Sequence, residues 1–91
     1  MICYDGKQLI KKGFFGFFYY SIDINDIKEI KKITYFKDGT YLVIVDEKHG
    51  ATNRYKKDSA ICIPCNEKGK AFISSFYSGK IPDIYRDFWL L

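Results

Sequence analysis

The stretch that most constrains this chain runs from Phe14 to Ile33, FFGFFYYSIDINDIKEIKKI, where six aromatics in seven positions give way to isoleucines set among charges. In an extended backbone Phe14, Phe18, Tyr20 and Ile22 point to one side, and Phe15, Phe17, Tyr19, Ser21 and Asp23 to the other. Only the first side stays apolar to its end, so it is the expected core face. Phe17 and Tyr19 then need cover from the chain's own tail or from a partner. The second half of the stretch admits two readings. Ile24, Ile27, Ile30 and Ile33 recur every three residues and Asp23 could cap a helix, so an extra helix at about 24–33 is the alternative, giving an α+β fold. A strict three-residue period drifts around a helix, however. The preferred path is a corner at Ile27 to Ile30, then a strand in which Ile33 and Tyr35 alternate with Lys32 and Thr34.

Ninety-one residues make one domain, able to bury roughly 60 to 65 per cent of its unfolded surface. Aromatics at 19% supply enough apolar surface to offset chain entropy, so a globular chain is expected. The net charge of +4 is mild, interspersed with acids and almost wholly Lys, Arg54 and Arg86 being the two arginines. Dedicated nucleic-acid binders are usually more basic and richer in Arg. MICYDGK lacks an apolar core of signal-peptide length, and the run from Phe14 to Tyr20 is far short of a membrane span, so a cytoplasmic location is expected. Three cysteines, an odd number, fit reduced thiols rather than a disulfide framework.

Along the chain, Asp5-Gly6 between Ile2–Tyr4 and Gln8–Lys11 predicts an opening hairpin. The aromatic strand follows, from Phe14 to Ile22. Lys37-Asp38-Gly39-Thr40 is a second turn of the same kind, and the continuous apolar run Tyr41 to Val45 predicts a strand covered on both faces. Thr52 to Lys56 reads as a polar edge strand and Ser59 to Ile63 as the last strand. Asn66 can cap a helix over about 66–78, with Phe72, Ile73 and Phe76 on one stripe and Gly79 as the stop. The predicted fold is therefore mainly β, a barrel or roll of six or seven antiparallel strands closed by one C-terminal helix.

This element order, with IDINDIKEI at Ile22 to Ile30, ICIPC at Ile61 to Cys65, AFISSF at Ala71 to Phe76 and the exit KIPDI at Lys80 to Ile84, resembles small bacterial pleckstrin-homology-like (PH-like) domains. The resemblance spans roughly residues 7–84 and is a pattern of apolar positions. It implies a single PH-like domain over residues 1–84 and a binding or packing role, with residues 85–91 an apolar tail packed on the domain or on a partner. It carries over no functional residue. Phosphoinositide-binding relatives use a basic loop between their first strands, where this chain offers only Lys11 and Lys12.

Candidate chemistry is sparse. Cys62-Ile63-Pro64-Cys65 has the spacing of a redox dithiol, but Cys62 falls inside a predicted strand with no βαβ unit before it, so buried apolar thiols are expected. Adding Cys3 and His49 would complete a zinc set only from distant single residues, and no orienting group or oxyanion hole accompanies a nucleophilic cysteine. We therefore expect no metal, cofactor or catalysis. The aromatics of Lys12 to Tyr19 look like the stacking strand of RNA-recognition domains, but one extra Phe sends half of them to the opposite face.

What remains is an interface. Phe15, Phe17 and Tyr19 on one face, with Lys11 and Lys12 alongside and Trp89 in the apolar tail, are the expected contact residues of a non-enzymatic protein-interaction module. The partner would be an unidentified protein or a second copy of the chain. Such a module would suit a stand-alone adaptor, or a small inhibitor of a host protein carried by a phage or mobile element. The alternative is binding of nucleic acid or an anionic membrane surface through Lys11, Lys12, Lys31 and Lys32 with aromatic stacking or insertion.

Overall fold

The computed structural model describes residues 2–12, 19–46 and 60–85. They form two three-stranded antiparallel sheets and one C-terminal helix. The first sheet comprises β1 (Ile2–Tyr4), β2 (Gln8–Lys12) and β3 (Tyr19–Asp23); the second comprises β4 (Ile27–Tyr35), β5 (Gly39–Asp46) and β6 (Ile61–Pro64). Helix α1 (Glu67–Ser74) follows β6. Among the described residues no ladder joins the two sheets into a closed barrel. The predicted strand from Phe14 is described only from Tyr19 onward, and the predicted edge strand from Thr52 to Lys56 lies outside the described residues.

Local chemistry explains the first hairpin. The Asp5 carboxylate accepts the backbone N–H groups of Lys7 at 2.9 Å and Gln8 at 2.7 Å, and Gly6 takes φ +94, a conformation that residues with a Cβ seldom adopt. This holds Tyr4 opposite Leu9, and Leu9 pairs in turn with Ile22 on β3. The inner face of the sheet is thereby fixed, since Leu9 and Ile22 are both fully buried.

The isoleucine-and-charge segment is a corner and a strand, and the corner comes three residues earlier than the sequence suggests. The Asp23 carboxylate accepts the Asn25 N–H at 2.8 Å, one 3-10 turn spans Ile24–Asp26, and β4 begins at Ile27. A bulge between Ile27 and Glu29 then inserts one residue into the ladder. Ile27 and Ile30, an odd step apart, consequently both pack on the main core, whereas Ile33 packs on the opposite face. The three-residue period that imitates a helix is thus the sum of three separate causes: the 3-10 turn between Ile24 and Ile27, the bulge between Ile27 and Ile30, and the use of both faces by Ile30 and Ile33.

Strand β5 lies between β4 and β6, and Leu42, Val43, Ile44 and Val45 are all buried. Leu42 and Ile44 join Ile30, Ile61 and Ile63 facing Leu9, Ile22 and Ile73; Val43 and Cys62 form a second cluster with Ala60 on the reverse face, flanked by Ile33, Tyr35 and Tyr41. Alternation along antiparallel strands requires this division, and the apolar run from Tyr41 to Val45 supplies side chains for both faces.

Asn66 caps α1, its side chain accepting the Gly69 N–H at 2.8 Å. The helix is shorter than its sequence stripe predicts. Ser75 Oγ donates to the Phe72 carbonyl at 2.6 Å and the Tyr77 N–H returns to the Ile73 carbonyl at 2.9 Å, closing the last turn well before Gly79. Ile73 is fully buried and Phe72 and Phe76 half-buried, so one narrow stripe docks the helix.

Gly69 is where that docking is tightest. A Cβ there would collide with the Pro64 carbonyl oxygen and lie 3.0 Å from Ile63 Cγ2. Helix propensity alone predicts that Gly69→Ala stabilises by about 1 kcal/mol. Overpacking against β6 reverses the sign, and the expected result is a net loss of about 1–3 kcal/mol in urea unfolding. An unchanged or raised midpoint would show that helix and strand can separate without cost.

The hairpin carries its own pH signature. The Gln8 N–H foremost, then that of Lys7, stabilises the ionised Asp5 carboxylate and lowers its pKa from 3.8. The folded-state value being depressed, the turn's contribution is present above 3.8 and fades as pH falls through the lowered value. Asp5→Asn should therefore flatten the acid limb of the stability profile, with stability slightly below wild type near neutrality and converging on it at low pH. An acid limb identical to wild type would place this titration elsewhere.

Candidate functional site

A groove with an apolar floor lies on the described surface. Ile2 on β1, Ile63 and Pro64 at the end of β6, and Asn66, Lys68, Gly69 and Phe72 at the start of α1 line a depression of about 410 Å³. Two local features shape it. Among the described residues β1 is a three-residue edge strand, and the Asn66 N–H bonds to the Pro64 carbonyl at 3.0 Å and turns the chain sharply into the helix. Nearby, Phe76 stacks tilted on Tyr4 with centroids 5.1 Å apart and meets Phe72 edge-on at 5.4 Å, fixing one side of the groove to β1. Such pairs add about 0.5–1.5 kcal/mol beyond area burial, so this wall is comparatively rigid.

A second depression of about 660 Å³ lies between the β4 bulge and the segment after α1, lined by Lys28, Glu29, Ile30, Tyr77, Lys80, Pro82 and Asp83. Its two cations and two carboxylates balance, and Lys32 Nζ spans the same region by donating to the Asp83 carbonyl at 2.8 Å. Through this contact the β4 strand holds the exit segment in place.

The β4–β5 hairpin ends in an exposed aromatic. Phe36 is 88% exposed beyond the last rung of the ladder, Tyr35 opposite Gly39, with Lys37 Nζ 5.8 Å from its ring centroid. Lys37 itself adopts φ 77, a left-handed conformation uncommon for a side-chain-bearing residue. Sequence reading passed over Phe36 because it treated the turn as beginning at Lys37. The available signal was an aromatic placed just outside a DG-turned hairpin.

The residues expected to form the contact fare unevenly. Lys11 is partly buried, its ammonium donating to the Ala60 carbonyl at 2.8 Å and so linking the first sheet to the start of β6. Lys12 is exposed at the end of β2, opposite Tyr19, the first residue of β3. Phe15, Phe17 and Trp89 lie outside the described residues. The lysines proposed to meet an anionic ligand do not converge. Lys11 and Lys32 donate to backbone carbonyls, and Lys31 and Lys32, adjacent on β4, take opposite faces.

The cysteines occupy three environments. Cys3 is exposed on β1, Cys62 is buried in the reverse-face cluster with its Sγ 3.7 Å from the Tyr35 hydroxyl, and Cys65 is half-buried against the main core. Cys62 and Cys65 therefore serve opposite faces of the second sheet. Burial foremost, with the Cys62 contact, pushes the Tyr35 hydroxyl far above its ordinary pKa of 10.0, so it remains protonated. Among the described residues no three metal-ligating side chains gather, and His49 lies outside them. No described helix is long and apolar enough to cross a membrane. No family model, curated protein or solved structure matches the chain.

Exposure sets the expected order of thiol reactivity. Under native conditions an aromatic disulfide reagent should modify Cys3 first, Cys65 slowly, and Cys62 only as the protein unfolds. Mild oxidation should leave Cys62 and Cys65 unbridged. An internal Cys62–Cys65 disulfide, seen as a peptide mapped under non-reducing conditions, would contradict the opposed faces.

Proposed function

We propose that this chain is a PH-like protein-interaction module without catalysis of its own, which takes an apolar segment of a partner into the groove beside α1 and acts as an adaptor or small inhibitor. The groove carries the reading, because it joins an apolar floor to the edge strands of two sheets. Two antiparallel sheets followed by a helix docked on the last strand support the PH-like architecture, as does the apolar pattern shared along the chain. The aromatic segment of the sequence that precedes β3, with Phe15 and Phe17, together with Tyr19 and the apolar tail with Trp89, belongs to the same proposal as further contact surface.

Magnitudes favour that larger contact. One Leu or Phe side chain buried in the groove contributes about 1.5–3 kcal/mol, whereas micromolar binding requires about 8 kcal/mol. The groove is an anchor, and the aromatic residues Phe15, Phe17 and Tyr19 are a suitable source for the remainder.

The test is capture from nuclease-treated lysate of the native host, comparing wild type with Ile2→Asp in the groove and Phe17→Asp in the aromatic segment, each checked for folding by circular dichroism. A single protein retained near stoichiometrically at moderate salt and lost with Ile2→Asp is the expected outcome. Recovery of only nucleic acid or lipid, released by moderate salt, would overturn the proposal, since phosphate contacts weaken steeply as counterions compete.

A further inference from the structure

We infer that the groove beside α1 is covered by the chain's own tail, Arg86 to Leu91, with Trp89 as the side chain that enters it, so that a partner segment must displace the tail to dock. The inference rests on the interaction-module reading and names how that site is regulated. The exit segment fixes where the tail starts. Lys32 Nζ donates to the Asp83 carbonyl, the Asp83 carboxylate accepts the Tyr85 N–H at 2.9 Å, and the Tyr85 hydroxyl donates to Glu67, the first residue of α1. Glu67 stands between Asn66 and Lys68, both of which line the groove. The described chain is thus delivered to the helical turn that borders the groove, and Arg86 follows from there.

Reach and chemistry agree. Trp89 comes four residues after Tyr85, up to about 13 Å of extended chain, which exceeds the roughly 7.5 Å rise from Glu67 to Phe72 and the width of about 10–12 Å that a helix presents. The tail can therefore reach the groove from either flank of α1. Phe88, Trp89, Leu90 and Leu91 are four consecutive large apolar residues, and a run of that kind calls for cover. A depression of about 410 Å³ with Ile2, Ile63 and Phe72 in its lining has room for one indole. One or two buried side chains are too little to hold separate molecules together. Within one chain a short tether raises the tail to about millimolar local concentration, and the same contact is then populated. Once displaced, Trp89 is available to the partner as further contact surface.

Trp89 is the chain's single tryptophan and reports the contact directly. In wild type its emission should be blue-shifted and about threefold less quenched by acrylamide than that of N-acetyltryptophanamide, with both values constant from about 1 µM to about 100 µM protein, as a tethered contact requires. Ile2→Asp should return the quenching to the free value, its urea midpoint showing that the variant folds. A photoreactive p-benzoylphenylalanine at position 89 leaves the groove unaltered and should crosslink to Ile63, Phe72 or their neighbours. A fluorescein-tagged peptide of residues 86–91 should bind a chain lacking Phe88–Leu91 several-fold more tightly than it binds the full chain, because tail and peptide compete for one groove.

Four results would overturn the inference: a wild-type Trp89 as accessible as the free fluorophore, a folded Ile2→Asp variant quenched as wild type is, crosslinks confined to the aromatic segment from Phe14 to Tyr20, or emission that changes with dilution, which would place the tail on a second chain. Capture of a host protein that is lost with Ile2→Asp, alongside an accessible Trp89, would reject the tail and leave the interaction module standing. A groove-bound Trp89 in a chain that captures no protein, with or without Phe88–Leu91, would reject the module and keep the docking of the tail.

Discussion

The contact on which the described architecture most depends is the backbone approach of α1 to β6 at Gly69 and Pro64. The first turn of the helix can lie directly on the strand end only because no side chain intervenes, and Asn66 holds that turn by accepting the Gly69 N–H. With the helix so placed, Ile73 drops between the sheets and Phe72 and Phe76 reach β1. Helix propensity lost at one residue is thus exchanged for a docking geometry that buries a shared core, and burial of Ile73 outweighs the roughly 1 kcal/mol that the glycine costs.

Much of the β architecture is legible because its signals are local. Asp5-Gly6 and Asp38-Gly39 mark hairpins through glycines in the left-handed region, reinforced at Asp5 by its side-chain acceptor, and both turns form where those dipeptides stand. The run from Tyr41 to Val45 marks a strand covered on both faces because every position must be apolar in that setting. The segment after Asp23 is harder for a physical reason. Its bulge adds one residue to a period of two, and the resulting spacing of three lies close to a helical period. Register within β4 depends on pairing with β5, information that no window around Ile27 contains.

The candidate site was far less legible. Ile2, Ile63, Lys68 and Phe72 come from the first strand, the last strand and the helix, and no spacing in the chain announces that they meet. Lysines mislead in the opposite direction. Lys11 looks like surface charge in sequence, yet its long stem runs along the first sheet and its ammonium ties that sheet to Ala60 beside β6. Lys32 likewise fastens the segment after the helix through the Asp83 carbonyl. Charges that appear to form a basic patch are in part the fasteners between elements, which is why a count of lysines overstates the surface free for an anionic ligand.

The hairpin tip concentrates two features that folding alone disfavours. Lys37 adopts φ 77, which costs a side-chain-bearing residue roughly 1–2 kcal/mol relative to its right-handed counterpart, and its neighbour Phe36 holds its ring in water. Glycine or asparagine at position 37 would remove the first cost and a polar residue at 36 the second, and neither change would disturb the Tyr35–Gly39 rung beneath. The rung is itself well supported, with the hydroxyls of Thr34 and Thr40 bonded across the strands at 2.9 Å one step further in. A firmly paired hairpin therefore presents a strained, apolar tip. Strain and exposed apolar surface persist together where the surrounding structure over-determines them, and such positions cluster at binding sites. The tip is accordingly a place where this fold departs from what stability alone would select.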